Sequence, residues 1–164
     1  MPCESTAKHR LSVTHPPLPW TTYEQALHAL SGEGAKPDAP FLVLRLRKLF
    51  PQADVKELNL AVETYIARTL APSKLGDWAR RGHFSLSLLQ QASRESIASY
   101  RARFFAGRKH VLEIGTGTGS DTAALARVAQ HVTTVDGDRI ASELAQRNLA
   151  LQGIQNVTFI VGDV

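Results

Sequence analysis

The feature that most constrains this chain is the run Gly115-Thr116-Gly117-Thr118-Gly119, directly after the short apolar segment Val111-Leu112-Glu113-Ile114. Apolar residues running into glycines read as a strand that ends in a tight turn. Glycine has no Cβ, so the backbone there can turn sharply and approach a ligand. The unit then repeats. Ser120 to Gln130 reads as a helix with Ala123, Ala124, Leu125 and Val128 available for burial. His131 to Val135 reads as a second strand, ending in Asp136-Gly137-Asp138. A further helix from Arg139 to Leu151 turns Ile140, Leu144 and Ala145 inward, with Gly153 past its end. Val157 to Val161 reads as a third strand that stops at Gly162-Asp163. The order β-α-β-α-β calls for a parallel sheet with right-handed crossovers.

In open sheets of this kind, ligands gather outside the carboxyl ends of the strands. The distinctive polar residues fall there. The helix after the glycine loop begins with unpaired N–H groups and a partial positive charge. Asp136 stands at the tip of the second strand, where a carboxylate can accept hydrogen bonds from both hydroxyls of a ribose. Asp163, at the tip of the third, could accept from an adenine amino group. The dinucleotide fingerprint G-x-G-x-x-G does not fit, because Ser120 stands where its last glycine would fall. A nicotinamide-dependent oxidoreductase is therefore an alternative that the loop disfavours.

The run Val111 to Gly119, with Glu113 two residues before Gly115, closely resembles the first motif of class I S-adenosylmethionine-dependent methyltransferases. Asp136 and the pair Gly162-Asp163 match that family's motifs after the second and third strands, so the resemblance covers residues 108–164. It implies a Rossmann-like sheet with these strands in the order 3-2-1 and S-adenosylmethionine as the cofactor. It also implies residue roles. Gly115, Thr116, Gly117 and Gly119 form the cofactor loop, its glycines against the methionine part. Glu113 orders the loop or reaches the amino group through water. Asp136 holds the ribose, Gly137 lies near the adenine, and Asp163 with Val164 flanks the base. Asp121 and Asp138 also lie near the site. Each suits the first turn or cap of its helix, and the structural role is expected for both. In the family, substrate-side residues follow the fourth strand. Only the first three are present, so no catalytic residue is named. The chain is expected to be part of a longer protein, inactive alone.

The preceding residues look different. Residues 1–38 read as a loosely ordered segment, 39–107 as a helical domain and 108–164 as the partial cofactor domain. Thr22 to Leu30 reads as a short helix with Tyr23, Ala26, Leu27 and Leu30 on one face, followed by a Gly/Pro loop. Phe41 to Phe50 admits a strand by the alternation of Leu42, Leu44 and Leu46, but a helix after Pro40 fits better. Asp54 and Glu57 resemble a capping box for a helix carrying Val55, Leu58, Val62, Tyr65, Ile66 and Leu70, stopped by Pro72. Phe84 to Phe105 reads as one or two helices, restarted by Ser93, with Ile97, Tyr100 and Phe104 along an apolar stripe.

The segment Leu88 to Arg101 resembles the linker-helix region of bacterial class I methyltransferases with a THUMP-like domain, which implies an RNA substrate. Charge agrees: residues 1–109 hold 16 Lys/Arg against 9 Asp/Glu, whereas residues 110–164 hold 3 against 6. A basic front suits an anionic partner. Arg94, Arg101, Arg103, Arg108 and Lys109 suit phosphates, and Tyr100, Phe104 and Phe105 suit bases. Helical spacing makes those aromatics core candidates first. His83 and Trp78 read as ordinary packed or exposed residues. Cys3 is the single cysteine and the six histidines lack metal-ligand spacing, so no metal is expected. No membrane segment or secretory signal is apparent, and a cytoplasmic location is expected. A non-catalytic module that binds nucleic acid or protein is the remaining alternative.

Overall fold

The computed structural model describes residues 12–13, 20–31 and 38–163. In chain order these form β1 (Ser12–Val13), α1 (Thr21–Ala29), α2 (Ala39–Leu49), α3 (Val55–Leu70), α4 (Pro72–Leu75), a 3-10 turn (Asp77–Arg81), α5 (Leu86–Gln91) and α6 (Glu95–Ala102). A second 3-10 turn (Arg103–Phe105) then leads to β2 (Val111–Ile114), α7 (Ser120–Ala126), β3 (Val132–Asp136), α8 (Arg139–Leu151) and β4 (Val157–Val161).

The expected β-α-β-α-β unit is β2-α7-β3-α8-β4, and its strands pair in parallel. The sheet order is β1-β4-β3-β2, so the three later strands follow the expected 3-2-1. The strand β1 was not expected. Ser12 and Val13 pair in parallel with Thr158 and Phe159 on the outer edge of β4. Two residues are too few to show a period, and the edge that binds them lies far along the chain.

One face of the sheet carries the core. Val111, Val132 and Val157 sit side by side across β2, β3 and β4 and are buried against α6 and α7. Ala98 and Ala102 of α6 meet Ala123 and Ala124 of α7, and such small side chains let two helices approach closely. Successive strand residues point to opposite faces. Leu112 and Ile114 on β2 are accordingly 61% and 66% exposed.

The N-terminal helices form a second core. Asp54 caps α3 by accepting from the Lys56 N–H at 2.8 Å, and α1 and α2 lie against α3. Leu144 of α8 belongs to this cluster, while Ala145 and Leu149 of the same helix belong to the sheet cluster. Helix α8 is thus shared between the two. Polar contacts reinforce the joint. Trp20 Nε1 donates to Glu143 Oε2 at 2.5 Å, and Arg147 pairs with Glu24 at 2.6 Å while lying 4.9 Å from the Trp20 ring centroid.

Several local expectations need correction. Helix α3 buries Leu58, Ala61, Val62, Thr64 and Ala67, whereas Val55 and Leu70 are 39% and 56% exposed. The roll brings Thr64 onto Tyr23, a polar contact that hydrophobic periodicity does not register. Helix α3 does end before Pro72, at Leu70, and Pro72 also opens α4 at its first position. Arg94, not Ser93, occupies the cap of α6, and Ser93 Oγ accepts from Arg101 at 2.9 Å instead. Ile140 is 40% exposed although it shares a face with Leu144, because it stands in the first turn of α8 beside an open hollow lined also by Leu60 and Leu88. The largest miss is the aromatic stripe. Ile97, Tyr100 and Phe104 are exposed, because α6 packs through Ala98 and Ala102. Periodicity defines a stripe but not which stripe faces the neighbouring helix. Among the described residues, no helix is long and apolar enough to cross a membrane.

Candidate cofactor site

A cavity of about 490 Å³ lies at the carboxyl ends of β2 and β3. Its first wall is the glycine loop, Gly115 to Thr118, continuing into Ser120 and Asp121 of α7. Asp136, Asp138 and Ala141 form its second side. A third wall comes from the helical layer: Ser87, Leu88 and Gln91 of α5, with Ala92 and Ser93 just beyond it.

The loop is held by short-range and long-range bonds. Gly115 N–H donates to the Val135 carbonyl at 2.8 Å, and the Thr116 and Thr134 hydroxyls are 2.7 Å apart. Gly117 N–H donates to Asp136 Oδ2 at 3.0 Å, and Asp138 N–H donates to Asp136 Oδ1 at 2.9 Å. One carboxylate thus ties the two strand tips together. Each oxygen keeps acceptor capacity for a ligand hydroxyl.

Two of the glycines serve different ends. A Cβ on Gly117 would meet nothing within 4 Å, so it would stand in open space beside the cavity. On Gly119, whose φ is +80°, it would stand 2.6 Å from Leu149 Cδ1 and 3.2 Å from Ala145 Cβ. Gly119 lets the start of α7 settle on α8.

Glu113 does not line the cavity. It accepts from the Thr122 hydroxyl at 2.6 Å, joining β2 to α7. Burial pushes its carboxyl up to about 7, and the nearby Asp121 and Asp136 push in the same direction. Gly137 and Asp163 lie exposed beside one another, Asp163 Oδ1 being 3.0 Å from where a Gly137 Cβ would stand. Val164 lies outside the described residues. Asp138 caps α8 by accepting from Ile140 N–H at 2.8 Å, and Asp121 pairs with Arg101 at 3.3 Å. Both also line the cavity.

The wall from α5 went unforeseen in the sequence. Its orientation depends on Lys74, whose Nζ donates to the carbonyls of Leu89 and Gln90 at 2.7 Å each, and on Ser120 Oγ, which donates to the Ser93 carbonyl at 3.1 Å. The helix break between Gln91 and Glu95 is the one local signal that a wall could form there.

The family described as Methyltransferase domain matches residues 111–164. This segment is similar to the class I S-adenosylmethionine-dependent methyltransferases. The protein-L-isoaspartate O-methyltransferase of Dictyoglomus turgidum is 49% identical over 57 residues, 35% of this chain and 26% of its own. The enzyme of that name from a Bradyrhizobium species is 30% identical over 124 residues, 74% of this chain and 56% of its own. The chain therefore spans between about a quarter and somewhat more than half of these two relatives. A solved structure described as a putative methyltransferase from Porphyromonas gingivalis W83 superimposes with a TM-score of 0.57 at 19% identity, covering 74% of this chain and 34% of that one. At that identity the likeness is one of fold. The nicotinamide-dependent alternative is not favoured.

S-adenosylmethionine is the cofactor of this methyltransferase segment, and the cavity suits it. Thr118 lines the cavity at 3% exposure, and its hydroxyl has no hydrogen-bond partner among the described residues. A buried hydroxyl without a partner costs free energy that a polar ligand would recover. Asp136 can still accept from a diol, and the bare backbone at Gly117 leaves room for close approach. Among the described residues, no cluster of His, Cys, Asp and Glu is arranged to hold a metal ion.

Proposed function

We propose that this chain supplies the cofactor-binding half of a methyl-transfer enzyme. The observation that carries the reading is the arrangement at the strand tips: Asp136 bonded to Gly117 N–H, beside a glycine loop that carries an unpartnered buried hydroxyl on Thr118. When bound, the cofactor supplies a methyl group on a sulfonium, activated toward a nucleophile. The residues here bind and orient. Asp136 accepts from the ribose hydroxyls, and Gly115 to Thr118 cradle the amino-acid end. Ser87, Leu88 and Gln91 cover the cavity from the helical layer and exclude water, which strengthens polar contacts inside.

For the acceptor, a protein carboxylate is the leading reading. The similarity to the Bradyrhizobium isoaspartate enzyme extends over 74% of this chain, well beyond the glycine loop. RNA is the second reading. The basic front and the exposed Tyr100, Phe104 and Phe105 favour it, with the Arg103 guanidinium 4.5 Å from the Tyr100 ring centroid. Against it, Phe104 and Phe105 share a hollow with Arg108, His110 and Leu112 at the start of β2, the end opposite the cofactor.

Transfer of labelled methyl from S-adenosylmethionine to an isoaspartyl peptide and to total RNA, by the full-length protein that carries this chain, tests both acceptors. Asp136→Ala should abolish transfer and weaken S-adenosylhomocysteine binding by at least about tenfold, the loss expected for charge-assisted hydrogen bonds. Full cofactor affinity in Asp136→Ala would overturn the reading.

A further inference from the structure

Asn148 lies on α8, away from the cavity lining, and is fully buried. Its carboxamide bonds to two segments distant in sequence. Oδ1 accepts from the His83 N–H at 2.7 Å, and Nδ2 donates to the His83 carbonyl at 2.9 Å and to the Thr118 carbonyl at 3.1 Å. Both amide hydrogens and the oxygen are thus engaged. No other side-chain type offers two donors and an acceptor on so short a stem. Aspartate lacks the donors, and leucine would take the side-chain partner from three backbone groups, the Thr118 carbonyl among them in a buried bond.

The two segments it joins lead into opposite walls of the cavity. Thr118 belongs to the glycine loop. His83 stands two residues before Ser85, the residue that caps α5 by accepting from Leu88 N–H, and α5 provides the other wall. His83 is anchored in turn. Its Nδ1 is 2.9 Å from the Tyr23 hydroxyl, which donates to Thr64 Oγ1, and Thr64 donates to the Phe84 carbonyl. A continuous set of buried and half-buried hydrogen bonds therefore runs from α1 and α3 through His83 and Asn148 to the cofactor loop.

We propose that Asn148 is a positioning residue for S-adenosylmethionine binding, setting the separation of the glycine loop and α5 and transmitting the order of the helical layer to the loop. The proposal rests on the reading of the cavity as the cofactor site. Loss of the bond to Thr118 frees the loop carbonyl. Loss of the bonds to His83 frees the entry to α5. The ligand must then restore that order when it binds.

The test uses calorimetry with S-adenosylhomocysteine on the wild type, Asn148→Leu, Asn148→Ser and Leu46→Ala. Leu46 lies in the helical core and does not line the cavity. Both Asn148 variants should bind about tenfold or more weakly, the loss expected when bonds that pre-order a site are removed. Leu46→Ala should lower the melting temperature comparably yet keep wild-type affinity. In the wild type, the Asn148 side-chain amide protons should exchange slowly with solvent and their resonances should shift when the ligand is added. This readout holds even where a variant fails to fold. Asn148 variants that bind within about twofold of a binding wild type would overturn the proposal alone. So would an equal loss of affinity in Leu46→Ala, or amide protons that exchange freely and do not shift. A wild type that binds no S-adenosylhomocysteine would overturn the cofactor reading itself and the proposal with it.

Discussion

Gly119→Ala should be among the most damaging single-atom additions in the loop, and the structure gives the reason in two parts. The residue sits at φ +80° and ψ 14°, a left-handed conformation. An alanine there costs roughly 1–2 kcal/mol through contact of its Cβ with the backbone. The new methyl would also stand 2.6 Å from Leu149 Cδ1, 3.2 Å from Ala145 Cβ and 3.5 Å from Ala145 Cα. Leu149 is fully buried and has little room to retreat. Overpacking of this kind costs a further 1–3 kcal/mol, roughly. The sum is about 2–5 kcal/mol, a large fraction of the stability of an ordinary domain. Urea denaturation followed by far-UV circular dichroism measures it. Gly117→Ala is the matched comparison. It carries the backbone cost but meets no atom within 4 Å, so its stability loss should be about 1–2 kcal/mol, its main effect falling on S-adenosylhomocysteine affinity. A Gly119→Ala protein within about 0.5 kcal/mol of wild type would refute the reasoning. So would a Gly117→Ala protein less stable than Gly119→Ala.

Two further outcomes follow. Burial raises the Glu113 carboxyl from 4.5 to about 7 and lowers the His83 imidazole from 6.5 to about 3, the latter aided by Arg68 and Arg147. The Glu113 contribution is fully present below pH 4.5 and lost as pH rises through 7. The His83 contribution is present above pH 6.5 and lost as pH falls through 3. Between pH 4.5 and 6.5 they oppose each other. Glu113→Gln removes only the first, so its stability relative to wild type should rise between pH 4.5 and 7, by no more than about 3 kcal/mol. Denaturation midpoints across that range check the sign, and a flat difference would count against a buried, protonated Glu113. Trp20→Phe removes the indole donor to Glu143 and the surface under Arg147. It should cost about 1.5–3 kcal/mol by thermal or urea unfolding, with cofactor affinity nearly unchanged.

Much of the sheet domain was legible because its signals are local. Glycines in the Gly115–Gly119 loop, an acidic residue at each of two strand tips and apolar runs of strand length need no distant partner to be read. Gly115, Thr116, Gly117 and Asp136, named from that pattern, line one cavity. Glu113 was named with them, yet its carboxylate bonds Thr122 instead of lining the cavity. The helical front was legible as helices but not as faces. The choice at α6 turned on Ala98 and Ala102 finding the alanines of α7, and that choice left Tyr100 and Phe104 in solvent.

The sequence by itself determined where the chain turns, which strands alternate with which helices and which cofactor the loop suits. The first two follow from backbone freedom at glycine, capping at Asp54 and Asp138, and short-range periodicity; the last is what the resemblance of Val111 to Gly119 to the methyltransferase motif implies. The tertiary structure alone decided that the cavity has a wall from α5, that Ser12–Val13 joins the sheet and that Asn148 bonds both walls. The physical reason is separation along the chain. Asn148 bonds residues 65 and 30 positions away, and Trp20 bonds a residue 123 positions away. A buried polar group finds whichever partner the fold brings to it, and no spacing in the sequence records that partner in advance.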